Sequence, residues 1–175
     1  MFVLSPLIAA LALATATTAA PPTPSNPSNT TTPATTNTSA PTYCVPRAVT
    51  PAEQSEIFAA FVQEFYVVRN VANAFKLYIV ADYIQHNPYE PPNGAAGSVE
   101  YLTPIFSNLS IGVEVLHQGF GGGIGWVHSR IDNIYPYPRP VAIADIFEFT
   151  DSCVKEHWDV TQELPADATN PLALF

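Results

Sequence analysis

Apolar positions recur along this chain with two different periods. From about residue 50 to 106 they return every three or four residues, and from 111 to 162 mostly every second one. Thr50-Pro51-Ala52-Glu53 has the chemistry of a helix start: a hydroxyl cap, proline at the first helical position and a glutamate three after the cap. Ile57, Phe58, Phe61, Val62 and Phe65 then make one apolar stripe. A second short helix is predicted from Asn70, burying Val71, Phe75 and Tyr78, followed by a short extended piece from Ala81 to Pro88. Ser98 is predicted to cap a third helix carrying Val99, Leu102, Ile105 and Phe106, with Pro104 limiting its regularity.

After Ser110 the period becomes two. Ile111, Val113, Val115 and His117 alternate with Glu114, Leu116 and Gln118. Strands are predicted over Ile124–Asp132, Val141–Phe149 and Cys153–Gln162, with Tyr135 to Pro140 as a stiff connection. Gly119 to Gly125 lacks a following helix and a Lys-Ser/Thr pair, so it reads as a flexible hairpin loop, a lip over a pocket, rather than a phosphate cradle. Helices first and a meander of strands afterwards predict an α+β domain, a curved antiparallel sheet wrapped around N-terminal helices.

The last hairpin can be read in register. With Asp151-Ser152 as its loop, Phe149 faces Val154, Glu148 faces Lys155, Phe147 faces Glu156 and Asp145 faces Trp158. One face then carries Val141, Ile143, Asp145, Phe147, Phe149, Val154, Trp158 and Val160, and His157 and Asp159 fall on the other. Asp145 lies deep among aromatics, where a carboxylate is costly to ionise, which is the setting of a general acid or base. Trp126, His128 and Arg130 share one face of the neighbouring strand. If that is the face of Asp145, His128 can hydrogen-bond the carboxylate. A buried Asp–His or Asp–Arg pair without turnover is the alternative.

The other histidines point less sharply. His86 stands in a polar segment at a strand end, and His117 reads as a sheet-surface residue. No two histidines are spaced i, i+2 or i, i+4, so no metal is expected.

Composition divides the chain. No Lys, Arg, Asp or Glu precedes Arg47. Met1 to Ala16 has an apolar stretch ending in Ala14-Thr15-Ala16, the pattern of a secretory signal. Residues 17–42 hold only Ala, Thr, Pro, Ser and Asn, with nothing large to bury, and read as a disordered stalk. The folded domain is then 43–175, and the destination is the secretory pathway, secreted or vesicular. Asn29, Asn37 and Asn108 head N-glycosylation sequons. In an oxidising compartment Cys44 and Cys153 are expected to pair across more than a hundred residues, a closure worth roughly 4–5 kcal/mol in the chain-entropy model. Two buried thiols are the alternative. The net charge of -9 argues against nucleic acid, and no apolar run is long enough for a membrane span.

Tyr83-Ile84-Gln85-His86-Asn87-Pro88, His128-Ser129-Arg130, Asp145-Ile146-Phe147-Glu148-Phe149, Glu156-His157-Trp158-Asp159 and Asn170 to Phe175 occur in that order. Together they resemble the SnoaL-like polyketide cyclase family of the nuclear-transport-factor-2-like superfamily. The resemblance covers nearly all of 43–175. It implies a cone-shaped α+β barrel with a deep apolar pocket and cofactor-free acid–base chemistry: cyclisation, isomerisation, dehydration or epoxide opening. It matches the family's catalytic Asp to Asp145 and its supporting His to His128. Asp151-Ser152 stands where the family has Asp-Gly, and the Gly-rich and Tyr/Pro-rich segments look like insertions. The expected function is therefore an acid–base enzyme acting on an apolar, oxygenated, polyketide-like small molecule. Trp126, Phe147 and Trp158 are expected to line the pocket, with Tyr83 and His86 at its mouth or wall. The alternative is a secreted, non-catalytic small-ligand-binding domain. The outer face of the sheet offers a surface for a homodimer.

Overall fold

Thr50 opens the first helix as its residues predict: its hydroxyl accepts the Glu53 N–H at 3.2 Å, and α1 runs from Pro51 to Val62. The computed structural model describes residues 42–90 and 93–175. The signal segment 1–16, nearly all of the stalk 17–42, and the sequons at Asn29 and Asn37 lie outside the described residues. Asn108 is described and exposed, its Oδ1 accepting from Ser110 N–H and Oγ–H.

α1 continues into one wider, π-helical turn, Gln63–Val67. Phe58, Phe61, Val62 and Phe65 are buried as the stripe predicts, and the wider turn also buries Tyr66. Asn70 caps α2 (Val71–Tyr78) by accepting the Asn73 N–H, and the chain passes directly into β1 (Ile79–Gln85). α3 spans Ala95–Phe106. It starts before Ser98, which is buried in its first turn instead of capping it. Leu102, Ile105 and Phe106 turn to the cavity described below.

β2 (Gly112–Gly121), β3 (Ile124–Asp132), β4 (Val141–Thr150) and β5 (Cys153–Glu163) follow. The sheet order is β1-β5-β4-β3-β2. Four strands form the antiparallel meander the period-two pattern predicts, and β1 adds in parallel alongside β5, so the sheet as a whole is mixed. The glycine-rich stretch is not a lip. Gly119 and Gly121 lie within β2 and Gly125 within β3, and Gly122-Gly123, both at positive φ, make the tight turn between them. Gly125 also lets a helix approach the sheet: a Cβ there would lie 2.4 Å from the Phe58 ring.

Cys44 and Cys153 form a disulfide. It ties the segment before α1 to the start of β5. Hydrogen bonds from Arg47 N–H to Ser152 Oγ and from Gln54 Nε2 to Asp151 O reinforce the join, and Cys44 N–H also bonds Ile79 O at the start of β1.

The β4–β5 register begins as expected, Thr150 with Cys153 and Phe149 with Val154. It then slips by one. Glu148 pairs with Glu156, leaving Lys155 as the extra residue of a bulge, so Phe147 faces His157 and Asp145 faces Asp159. Because side chains alternate with period two, this single residue turns all of β5 beyond it over. His157, Asp159 and Thr161 point inward; Glu156, Trp158 and Val160 point out.

Candidate functional site

Between the helices and the inner face of the sheet lies a cavity of about 470 Å³. Most of its wall is phenyl and aliphatic surface, from Phe61, Phe65, Phe75, Phe106, Ile131, Ile143 and Phe147 among others. Six tyrosines also reach it: Tyr66, Tyr83, Tyr89, Tyr101, Tyr135 and Tyr137. Its polar groups gather around Asp145, where β4, β5 and the end of β1 meet.

Asp145 is buried at the centre of this cluster. Tyr66 donates its hydroxyl to Oδ2 at 2.8 Å, and His157 Nε2 lies 2.9 Å from Oδ1. The π-helical turn supplies Tyr66, and the Lys155 bulge supplies His157. Burial, and then the Asp145 carboxylate, push the Tyr66 phenol well above its ordinary range, so it stays a proton donor. The His157 ring stacks on Phe147, with centroids 4.7 Å apart.

The protons around His157 can be assigned. Gln85 Oε1 accepts the Asn87 backbone N–H at 3.0 Å, while Gln85 Nε2 donates to Glu90 Oε2 at 2.7 Å. Gln85 therefore presents its carbonyl oxygen to His157, and Nδ1, 2.9 Å away, must donate to it. That leaves the Nε2–Oδ1 contact with one proton, carried as imidazolium facing carboxylate or as neutral imidazole facing carboxylic acid. Both forms hold one transferable proton at the cavity wall.

Two further carboxyl groups surround this pair. Asp159, directly across from Asp145 in the ladder, is bonded by Asn87 Nδ2. Glu90 is pushed up to about 7, mainly by burial, with the Asp159 and Asp145 carboxylates adding and His157 and the Gln85 hydrogen bond opposing. Tyr83 is fully enclosed, accepts from Gln85 Nε2 at 3.3 Å, and is raised far above the usual phenol range by burial and then by Glu90.

Ligand atoms of Asp145, His157 and Asp159 lie within 4.8 Å of one another, close enough for one cation to touch all three. Both Asp145 oxygens and both His157 nitrogens, however, already serve hydrogen bonds inside the protein. A metal would have to break that network.

Of the residues expected at the site, Asp145, Tyr83 and Phe147 line the cavity. The expected His128–Asp145 pair is not formed. Val127 stands opposite Asp145, and His128 stands opposite Ala144 on the outer face, stacked on His117 at 5.8 Å. The inner face of β3 belongs to Gly125, Val127, Ser129 and Ile131, so Trp126 is turned outward and left 45% exposed. Trp158 is outside as well, because of the bulge. It stacks on His86 at 4.4 Å, and His86 bonds Glu156 across the exterior. Neither lines the cavity.

Tyr66, Gln85, Asn87, Glu90, His157 and Asp159 were not expected at the site. For Gln85 and Asn87 a signal existed: counting by twos from buried Tyr83 selects them and rejects His86.

No family model matches the chain, and no curated protein sequence matches it significantly. Solved structures do match its shape. A candidate ketosteroid isomerase from Kribbella flavida superposes with a TM-score of 0.51 at 14% identity, over 67% of this chain and 86% of its own. A candidate SnoaL-like polyketide cyclase from Jannaschia gives 0.50 at 14% identity, over 66% and 90%. A nuclear-transport-factor-2-like protein of unknown function from Mesorhizobium loti gives 0.50 at 12%, over 64% and 93%. The chain therefore has the α+β cone fold of the nuclear-transport-factor-2-like proteins. SnoaL-like polyketide cyclases and ketosteroid-isomerase-like proteins share that architecture, which hosts many functions.

Proposed function

We propose that the protein is a cofactor-independent acid–base enzyme acting on an apolar, oxygenated small molecule, of the cyclase, isomerase or epoxide-opening kind. The observation that carries this reading is the buried 2.9 Å contact between His157 Nε2 and Asp145 Oδ1 at the wall of a mostly apolar cavity. In such surroundings a proton can be given to a substrate oxygen, or taken from a carbon beside a carbonyl, with little competition from water. Tyr66 steadies the carboxylate through its other oxygen, and Gln85 fixes the imidazole tautomer.

We place this activity in the secretory pathway. The signal-like first sixteen residues and the Cys44–Cys153 disulfide both support that compartment.

One observation favours the non-catalytic reading. Every polar atom of the Asp145–His157 pair is already satisfied by the protein, as it would be in a purely structural couple. The test is hydrogen–deuterium exchange at the activated carbon of β-tetralone, followed by NMR in heavy water, alongside hydrolysis of styrene oxide. Acceleration of either by wild type, lost in Asp145→Asn while probe binding persists, is the expected result. Binding without acceleration of either reaction would leave a ligand-binding domain.

A further inference from the structure

Beside the Asp145 cluster, the cavity wall holds a fully buried hydroxyl that the protein does not use. Ser129 sits on the inner face of β3, is fully buried and lines the cavity. Its Oγ has no hydrogen-bond partner among the described residues. A buried hydroxyl left unpaired destabilises the fold, and alanine would occupy the same slot without that cost. Val113, Ile131 and Ile143 surround this part of the wall and offer it nothing polar. Ser98, the other unpartnered buried hydroxyl among the described residues, does not line the cavity, so the same reading does not extend to it.

Register fixes where this hydroxyl stands. Ser129 pairs with Ile143, and Asp145 pairs with Val127, so the two are diagonal neighbours on one face of adjacent strands. Diagonal neighbours in an antiparallel ladder are about 7–8 Å apart. Both side chains rise from the same face, so a single ring lying over that face can set one oxygen above each of them. A serine hydroxyl can both donate and accept, so it suits a carbonyl or a hydroxyl equally.

We propose that Ser129 is a second polar anchor of the cavity. It would hydrogen-bond one oxygen of a flat, mostly apolar ligand whose other oxygen, across one ring, meets the Asp145–His157 pair. The inference rests on the reading of the cavity as a small-molecule site. It adds a selection rule to that reading: molecules with two oxygens across a ring are preferred over those with one.

The test uses phenylhydroquinone under anaerobic conditions, with ortho-phenylphenol and meta-phenylphenol, each of which lacks one of its two hydroxyls. Affinities are read by calorimetry on the full chain. Wild type is expected to bind the diol about tenfold or more tightly than either mono-phenol. Ser129→Ala should bring the diol down to the mono-phenol level while the mono-phenol that reaches only Asp145 is unaffected. Ser129→Thr, which keeps the hydroxyl, should preserve the preference, and Ser129→Cys, a poor donor of similar size, should lose most of it. Equal affinity for all three probes in wild type, or a preference that survives in Ser129→Ala, overturns the proposal alone. A Ser129→Ala protein that no longer folds shows a structural hydroxyl and also overturns it. If wild type binds none of the probes, the small-molecule reading falls and the proposal falls with it.

Discussion

His157 Nε2 lies 2.9 Å from Asp145 Oδ1, and both residues are buried. Since Nδ1 is committed to Gln85, the two side chains form a unit with one shared proton. Removing either member leaves the other buried without its partner, so their effects on stability should not add. A double-mutant cycle of Asp145→Asn and His157→Gln, followed by urea unfolding, should give a coupling of about 1–3 kcal/mol. Simple additivity would mean that the contact is not formed in solution.

Tyr66 is a separate support for the same carboxylate. Tyr66→Phe removes the donor to Oδ2 and nothing else of comparable size. It should cost about 1–3 kcal/mol, because a buried carboxylate oxygen is left unpaired. Denaturant midpoints with an unchanged slope would be the supporting result.

Glu90 makes stability depend on pH in a definite direction. Its acid range in the folded protein is raised from 4.5 to about 7, chiefly by burial. In the unfolded chain it ionises first, so folding stability falls as pH rises through that window and stays low above it. Glu90→Gln should remove this loss. The variant should match wild type below the window and exceed it above, by on the order of 2 kcal/mol. Thermal melts across the pH range would check this, and a gain confined to acid pH would contradict it.

Two glycines in neighbouring strands should respond very differently to one methyl group. At Gly125 a Cβ would sit 2.4 Å from the Phe58 ring, whereas at Gly121 it would meet nothing within 4 Å. Gly125→Ala should therefore destabilise by about 1–3 kcal/mol through overpacking, and Gly121→Ala should be nearly neutral. Differential scanning calorimetry of the two variants side by side is sufficient.

The disulfide closes a long loop, with a sequence separation of 109. Cys44→Ser with Cys153→Ser should cost about 2–5 kcal/mol, and a reductant should reproduce the loss in wild type only. An alkylating reagent applied without reductant should leave the mass of the native protein unchanged; labelling of both cysteines would refute the bridge.

Helix starts at Thr50 and Asn70, the extents of β3 and β4, and the burial of Asp145 were legible because each rests on local chemistry or on period-two alternation. The histidine beside Asp145 was not. The supposed Glu148–Lys155 pair supported an unbulged hairpin, while the actual ladder sets Glu148 against Glu156. Nothing in the spelling of Asp151 to Glu156 announces the extra residue. On β3, the sequence offered Trp126, His128 and Arg130 as a chemically attractive face, yet the close approach of Phe58 at Gly125 commits the opposite face to the core. Long-range contacts decided both cases.

The bulge at Lys155 also bears on how such a site can change. In the segment Glu156-His157-Trp158-Asp159, two sets of side chains alternate, one of imidazole and carboxylate, the other of carboxylate and indole. Loss or gain of a single codon upstream exchanges one set for the other without altering any member of either. A lineage could convert a reactive chamber into an inert one, or the reverse, by a one-residue indel, a step no scan of point substitutions would sample.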